Sequence, residues 1–529
     1  MSGEMASKGK KRDILIALLL GLVVLLVAGS TLSYDCGWGD DFAAYMSEGI
    51  AIAQGKLEEQ TEVNAFMHPL QLPDGTLAER RVYVWGYPLM LALVYKLVGF
   101  DTVNFQSLIY YKLPILLCLA VTAAVLFLFY RKRMGALLSA FLSLMLCLNR
   151  EVVNILYTMY SDVVFLAFSV LSVYLAECYF EALGIDQTGR KKGKPLLWGL
   201  LLGAALWYTY ETRLSGNTIA YTVLALHLLL LLKSRRKSGQ GLRWRDLAQF
   251  LPYLLMLLLR LIFESFIFLP ASSNTSDIGF NWPNICANAR YYLKNIKYFF
   301  ACMPGLHLNN MGNNLLFGSV LLLAILGLIF SRRCRTADIV YLVFVVGSFI
   351  VLLLLPYTQG TRYFFNTIPF ILTMVGYGLE FLWACVLKRI KGKQRLLKAV
   401  AGTLVMTFMA YACAASLSGN LLRVLRGEDV RQRVPTSAYS EAALEMYRYV
   451  QQELEEDAVI AFMKARALYL NTGRLTVSTE LTDDISQADY WIRACNYGQE
   501  YLYELHRDRL ELIHWDENDA FMLYRVIKD

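Results

Sequence analysis

Residues 14–54 read ILIALLLGLVVLLVAGSTLSYDCGWGDDFAAYMSEGIAIAQ, and this stretch decides how the chain is organised. Its first half, 14–33, is apolar and has the length of about 20 residues that a helix needs to cross the hydrocarbon core of a bilayer. A basic segment precedes it at 8–12, and no small-x-small cleavage site comes before Tyr34. We therefore interpret 14–33 as a retained first membrane helix and not as a signal peptide.

The rest of the 529-residue chain is similarly apolar, with 57% hydrophobic residues, 18% charged residues and a mean hydropathy of +0.42. Soluble domains average about 45–50% hydrophobic residues and about 25% charged residues. This composition excludes a soluble multidomain protein, a disordered chain, a collagen-like fibre and a disulfide scaffold. We expect an α-helical polytopic membrane protein with about eleven transmembrane helices, over 14–33, 107–130, 134–149, 160–182, 195–210, 214–232, 247–269, 313–330, 338–356, 363–387 and 397–416. The run at 87–98 is too short to span and predicts an interfacial or re-entrant helix.

The positive-inside rule orients these helices. Half of the 51 Lys and Arg residues lie in alternate connections, at 8–12, 131–133, 190–194, 233–245, 331–335 and 388–398. We therefore expect a multi-pass protein of the cell membrane with a cytoplasmic N-terminus. The net charge of +8 reflects this bias, and since no basic stripe interleaves with aromatic residues we expect no nucleic-acid partner.

Three external segments follow from this orientation: the loops 34–106 and 270–312, and the C-terminal residues 417–529. The C-terminal segment contains a helical pattern at 440–455, and it has short apolar runs typical of strands at 458–462, 490–494 and 520–527. We predict a membrane module over 1–416 and a small extracytoplasmic α/β domain over 417–529.

The strongest chemical signal is the acidic pair Asp40 and Asp41. The apolar residues after it recur at helical spacing, which predicts an amphipathic helix over 42–54 lying at the membrane surface. In one interpretation Asp40 is simply an N-cap that satisfies backbone N–H groups. In the other, two carboxylates fixed at the membrane boundary serve a lipid-linked substrate as a base or as metal ligands.

A third acid, Asp162, stands at the outer end of a membrane run, with Glu151 in the same external connection. An acid facing lipid costs a few kcal/mol, so we expect Asp162 to face the bundle or a water-filled cavity. The alternative is an interfacial residue that reaches water.

Two external arginines lie beside membrane runs: Arg213, in YETR with Glu211, and Arg362, in QGTRY with Tyr363. The positive-inside rule gives no reason for them, and arginine binds phosphate with a planar fork of donors. An ion pair, such as Glu211 with Arg213, is the alternative. Lys294 and Lys297, in the loop 270–312, are weaker phosphate-binding candidates.

Other chemistries have little support in the sequence. It contains neither a Walker A pattern nor a G-x-G-x-x-G motif, so no nucleotide cradle is visible. The five histidines are scattered without ligand spacing and no C-x-x-C occurs, so a zinc or haem site is not indicated.

Together these features resemble the polytopic GT-C glycosyltransferases, in particular the bacterial dolichyl-phosphate-mannose-mannosyltransferase-like and ArnT-like membrane enzymes. The resemblance lies in the first membrane helix with its external acidic pair, Tyr45 and Gly55; in Trp85-Gly86-Tyr87-Pro88-Leu89; in Tyr160-Ser161-Asp162; in Arg362-Tyr363 with Pro369; and in Ala467-Leu468-Tyr469-Leu470 with Gly473-Arg474. The chain departs from the pattern in having Asp-Asp where the family often has Asp-Glu. It also has the single Pro88 where many members have Pro-Pro.

The resemblance implies an inverting transfer of a hexosyl or pentosyl group from a polyprenyl-phosphate donor to an outer-face lipid, cell-wall glycan or protein. The residue matching Asp40 would be the general base on the acceptor hydroxyl, with Asp41 beside it. Asp162 would position the acceptor or a divalent ion, and Arg362 would hold the donor phosphate. No cofactor is certain, but Asp40, Asp41 and Asp162 would be the ligands if Mg²⁺ or Mn²⁺ takes part. The remaining cavity candidates are Tyr45, Glu151, Glu211 and Tyr363.

Two other functions remain open on the sequence. The first is a lipid or glycan transporter, or a flippase. Such proteins show internal repeats and charged residues at mid-membrane, whereas the candidate acids of this sequence lie at the outer boundary. A non-catalytic protein, or a glycan polymerase or ligase of similar fold, is the second.

Overall fold

The computed structural model describes residues 2–67, 83–101, 107–186, 193–239, 241, 243–266, 280–306, 308–331, 335–356, 358, 360–390, 394–425, 437–515 and 520–528. The protein is mostly helical. Its helices are α1 Ser2–Gly29, α2 Asp40–Gln54, α3 Leu57–Met67, α4 Gly86–Val98, α5 Leu108–Arg131, α6 Ala136–Cys147, α7 Arg150–Val153, α8 Ile155–Thr158, α9 Asp162–Leu183, α10 Pro195–Thr212, α11 Gly216–Lys237, α12 Leu251–Phe266, α13 Trp282–Ala301, α14 Asn310–Phe330, α15 Thr336–Leu354, α16 Ile368–Arg389, α17 Gln394–Leu425, α18 Glu441–Glu453, α19 Ala465–Thr472 and α20 Glu500–His506.

Within the described residues, nine helices are long and apolar enough to cross a membrane. All eleven predicted runs contain helix, but two differ from a simple span. The run at 134–149 belongs to a broken segment in which 136–147 and 150–158 meet at a bend of 50°. The run at 195–210 is α10, whose last turn carries Tyr210, Glu211 and Thr212 and which does not count among the nine.

Large apolar side chains on the spanning helices point away from the protein. Leu18 of α1 is 64% exposed and Val343 of α15 is 67% exposed. Surfaces of this kind are unfavourable in water and are typical of contact with lipid. The protein is therefore a multi-pass membrane protein.

The first predicted loop, 34–106, contains three helices: α2, α3 and α4. The predicted amphipathic helix is α2, and it begins at Asp40 with Gly39 in the N-cap position, so the N-cap interpretation of Asp40 is wrong. It is buried on more than one face because α4 packs on one side and α19 on the other. A methyl group on Gly49 would lie 2.9 Å from Cβ of Leu91, so only glycine permits this approach of α2 to α4. Residues 68–82 and 102–106 of the loop lie outside the described residues.

The second predicted loop, 270–312, contains the helix α13, and α14 begins at its end. Asn281 caps it through its side chain, which accepts a hydrogen bond from the Asn284 N–H. Residues 270–279 and 307 lie outside the described residues.

The C-terminal segment folds around a five-stranded sheet, consistent with the predicted α/β domain. Its strands are β1 Ile460–Phe462, β2 Thr476–Ser478, β3 Tyr490–Ala494, β4 Leu510–Trp515 and β5 Phe521–Val526, in the order β2-β1-β3-β5-β4. The three predicted strands are β1, β3 and β5, while β2 and β4 have no counterpart in the prediction. The pairs β1–β2 and β1–β3 are parallel, and β5 runs antiparallel to β3 and β4. The last spanning helix, α17, continues to Leu425, past the predicted domain boundary at 416.

A buried cluster of charged side chains connects α9 with α15 near the end of α5. The Arg133 side chain is fully buried, donates to Asp338 of α15 at 2.7 Å and pairs with Glu177 of α9. Because each charge has a partner, the cluster can be buried without an uncompensated ion.

Candidate active site

Two carboxylates and one arginine meet where α2 and α9 begin. Asp41 is in the first turn of α2, Asp162 is the first residue of α9, and Arg362 lies in a 3-10 turn, Thr361–Thr367, that leads into α16. Arg362 Nη2 donates to Asp41 Oδ2 at 2.7 Å, and Arg362 Nη1 lies 3.7 Å from Asp162 Oδ2. One guanidinium thus bridges two carboxylates, each of which is also favoured by the positive end of a helix dipole.

A second arginine completes this cluster. Arg213, the residue after α10, donates from Nη1 to Asp162 Oδ1. Its guanidinium lies over the ring of Tyr363 at 4.6 Å, and the guanidinium of Arg362 lies over the ring of Tyr160 at 4.0 Å. The aromatic faces and the carboxylates fix both guanidinium groups in place.

The backbone before Asp162 makes a sharp turn that aims this helix start at the cluster. Met159 has φ 55°, a left-handed conformation that non-glycine residues rarely adopt, and it is fully buried. Backbone strain of this kind costs roughly 1–3 kcal/mol and persists where the surrounding packing holds it. The turn places Tyr160 under Arg362 and leaves Ser161 hydrogen-bonded to the Tyr45 hydroxyl at 2.9 Å.

Asp41 is held in its ionised form. Burial alone would raise its pKa, but the charge of Arg362 and the hydrogen bonds from Tyr83 and Arg362 outweigh burial and lower the pKa below its usual range. The Tyr83 hydroxyl stays protonated because burial, and then the charge of Asp41, raise the pKa of that phenol. About a quarter of the Asp41 side chain remains exposed, so the carboxylate is accessible from outside the protein.

Asp40 faces a different partner. Its Oδ1 accepts a hydrogen bond from the backbone N–H of Arg466 at 3.2 Å, and its Oδ2 lies 3.9 Å from Arg466 Nε. Arg466 belongs to α19 of the C-terminal domain, and it was not among the residues predicted from the sequence. Since the two residues lie 426 positions apart in the chain, no local pattern could have indicated this contact.

The other predicted residues lie at different distances from the cluster. Glu151 accepts a hydrogen bond from Thr361, the neighbour of Arg362, at 3.1 Å. Glu211 is fully buried at the end of α10, where a methyl group on Gly86 would lie 2.7 Å from the Glu211 carbonyl oxygen.

The two lysines are not brought to the cluster by any contact in the described part of the chain. Lys297 donates to Asn314 at 3.0 Å, and Lys294 lies on an exposed face of α13. This helix instead supports the site through Phe299, whose ring lies 6.1 Å from Phe364 in the 3-10 turn.

No group of three or more His, Cys, Asp or Glu side chains is arranged to hold a metal ion within the described residues. The Asp41 and Asp162 carboxylates contact arginines. A divalent cation in this cluster therefore stays a prediction.

Solved structures resemble this architecture over nearly its whole length. ArnT from Cupriavidus metallidurans bound to undecaprenyl phosphate aligns with a TM-score of 0.55 and 14% identity, covering 96% of this chain and 97% of that one. Its apo form gives the same TM-score and covers 98% of each chain. The chain has a GT-C fold. A second GT-C protein, the oligosaccharyltransferase AglB from Archaeoglobus fulgidus, solved with an inhibitory peptide and a dolichol-phosphate, aligns with a TM-score of 0.50 and 11% identity, covering 96% of this chain and 74% of that one. No family model matches the sequence, and no curated protein does.

The GT-C fold confirms the resemblance on which the sequence analysis rested. The alignment with ArnT covers 96–98% of this chain, so it extends over both the membrane helices and the C-terminal segment. It does so at low sequence identity, so the contacts of individual residues carry the interpretation of the site.

Proposed function

We propose that the protein is an inverting glycosyltransferase that takes a sugar from a polyprenyl-phosphate donor. The observation that carries this proposal is the bridge of Arg362 between Asp41 and Asp162, with Arg213 beside it. The cluster joins an accessible carboxylate to two fixed guanidinium groups. These are the groups that a displacement with a phosphate leaving group requires. The GT-C fold supports the proposal, because its solved members ArnT and AglB were captured with polyprenyl-type lipid phosphates.

In the proposed reaction an acceptor hydroxyl oxygen attacks the anomeric carbon of the donor sugar. The bond between this carbon and the phosphate oxygen breaks, and its electron pair goes to the phosphate. Arg362 and Arg213 stabilise the charge that develops on the phosphate. The proton of the acceptor hydroxyl goes to a carboxylate on the opposite side of the sugar, so the configuration at the anomeric carbon inverts.

We assign the base role to Asp41. The resemblance alone assigned it to Asp40, and that assignment stays a prediction. Asp41 contacts Arg362 directly, whereas Asp40 contacts Arg466 of the C-terminal domain. When Arg362 donates hydrogen bonds to the donor phosphate, Asp41 loses part of the interaction that keeps its pKa low. Asp41 then becomes a stronger base. Donor binding thereby prepares the proton acceptor.

We propose an extracytoplasmic reaction because the charge pattern of the connections favours that side. The basic connections face the cytoplasm under the positive-inside rule, which puts the cluster on the extracytoplasmic side. The donor must then carry its activated sugar on a lipid, and the acceptor is an outer-face lipid, glycan or protein. We propose the cell membrane as the location.

The test is a transfer assay with the full-length protein in proteoliposomes. A panel of polyprenyl-phosphate sugars is supplied, released polyprenyl phosphate is measured, and the anomeric configuration of the product is determined by NMR. We expect one donor class to be consumed with inversion. Parallel reactions with EDTA and with added Mg²⁺ or Mn²⁺ decide whether a cation is needed. Lipid movement across the bilayer without sugar release would support a flippase and contradict the proposal.

A further inference from the structure

The segment that precedes Asp41, residues 36–40, is packed into the C-terminal domain. The Trp38 ring lies between two strands and a helix of that domain, 5.5 Å from Phe462 of β1, 6.0 Å from Phe521 of β5 and 6.5 Å from Tyr447 of α18, all measured between ring centroids. Edge-on aromatic contacts of this kind stabilise the packing beyond the burial of the rings. A residue of the membrane module thus completes an aromatic cluster of the soluble domain.

Polar contacts hold both ends of the same segment. The Ala438 N–H donates to the Cys36 carbonyl at 3.0 Å, and the Arg466 N–H donates to Asp40 Oδ1 at 3.2 Å. Arg466 is 8% exposed, and its buried Nε makes no hydrogen bond to the described residues. This Nε lies 3.9 Å from Asp40 Oδ2, so the charge of Arg466 lies beside the start of α2.

The opposite side of the segment is also closed. A methyl group on Gly39 would lie 2.4 Å from the Tyr160 hydroxyl oxygen, and one on Gly37 would lie 3.1 Å from Cε1 of Tyr157. The segment is confined between these tyrosines and the C-terminal domain. If the domain side opened, the segment could move only away from the arginine cluster.

We propose that the C-terminal domain is a working part of the catalytic centre: through Trp38 and Arg466 it fixes the segment 36–40, so that Asp41 faces Arg362 and Asp162. In this role Trp38 and Arg466 are positioning residues that act through the start of α2. The inference rests on the proposed function and extends it to a domain 400 residues away in sequence. Misplacing a reacting group by about 1 Å can cost roughly 100-fold in rate, which is the scale of the expected effect.

The test compares four single variants of the full-length protein. Trp38→Ala removes the aromatic contacts, Trp38→Phe retains part of them, and Arg466→Ala removes the cation beside Asp40. Lys464→Ala is the matched control, because Lys464 lies two residues before Arg466 but pairs with the exposed Glu480. We expect kcat to fall about 10- to 100-fold in Trp38→Ala and by less than about 10-fold in Arg466→Ala, whose backbone N–H still holds Asp40. We expect the donor KM to change less than about threefold, Trp38→Phe to recover most of kcat, and Lys464→Ala to equal the wild type.

Hydrogen–deuterium exchange provides a readout that is independent of activity. Trp38→Ala should increase exchange in 36–46 and in 465–472, while Lys464→Ala should leave both unchanged. Unchanged exchange in Trp38→Ala, or an unchanged kcat in both positioning variants, would overturn the inference. Failure of the wild type to transfer any sugar in the panel would instead overturn the proposed function, and the exchange result would still decide whether the domain holds the segment.

Discussion

Replacing Arg362 by alanine removes the residue that bridges the two carboxylates. The Arg362 side chain is 22% exposed and its guanidinium donates to Asp41 at 2.7 Å. In the proposed reaction the guanidinium shifts its hydrogen bonds to the donor phosphate. Hydrogen bonds to charged groups contribute roughly 1.5–3 kcal/mol, which corresponds to about a 10- to 150-fold loss. We expect this loss in kcat/KM for the donor and a smaller one for the acceptor.

The same variant should change the pH dependence. The charge of Arg362 lowers the pKa of Asp41, so its removal raises that pKa, because burial then dominates. The base must be ionised, and activity falls as the pH drops through this pKa. The acid limb of the kcat/KM profile should therefore move to higher pH in Arg362→Ala.

The assay is donor titration at fixed acceptor, acceptor titration at fixed donor, and a pH series in proteoliposomes. Arg260→Ala is the matched control. Arg260 also pairs with a carboxylate, that of Glu264 at 3.0 Å, and also lies over a tyrosine ring. Both residues of this pair belong to α12 and neither is part of the arginine cluster. Arg362→Lys keeps the charge without the planar fork and should give an intermediate loss. Equal losses for donor and acceptor, or an unmoved acid limb, would refute the assignment of Arg362.

Three further changes test other parts of the structure. Tyr83→Phe removes a hydrogen bond that lowers the pKa of Asp41, so the acid limb should move to higher pH, by less than in the arginine variant; an unmoved limb would contradict the contact. Gly39→Ala should push Tyr160 from its place and lower kcat at a stability cost of about 1–3 kcal/mol, which kinetics and thermal unfolding in detergent can measure together. Arg133→Ala removes the guanidinium that pairs with the buried carboxylates of Glu177 and Asp338 and should destabilise the protein by about 3–5 kcal/mol, while the activity per folded molecule stays the same.

The sequence predicted the membrane helices and the three candidate acids because these features are local. An apolar run long enough to span is visible in a window of residues, and an acid at its end is unusual enough to notice. Asp162, Arg213 and Arg362 were found in this way, and the structure brings all three together with Asp41. Arg260 and Glu264, which pair at 3.0 Å, are four residues apart, and this spacing favours such a pair on a helix.

The contacts that separate the roles of Asp40 and Asp41 could not be predicted. Successive residues of a helix project about 100° apart, so adjacent acids necessarily face different neighbours. Which neighbours these are depends on the packing of α2 between the bundle and the C-terminal domain. Trp38, Arg466 and Tyr83 have no chemical pattern of their own, and their contacts arise only when distant segments fold together.

The two predicted lysines show a second limit of prediction from the sequence. Lys294 and Lys297 were candidates because they are basic and external, but α13 contacts the 3-10 turn through its phenylalanine face. The presence of a charged residue in the sequence does not indicate which side of its helix packs against the neighbouring elements.

The most direct measurement of the central claim is sugar transfer by Asp41→Asn and Asp40→Asn, compared in the same proteoliposomes at equal protein. Both substitutions are isosteric and lie next to each other at the start of α2. If Asp41 accepts the proton of the acceptor, Asp41→Asn loses about 10²- to 10⁴-fold in kcat, whereas Asp40→Asn keeps most of it, since an amide oxygen can still accept the N–H of Arg466. Near-normal transfer by Asp41→Asn would contradict the account.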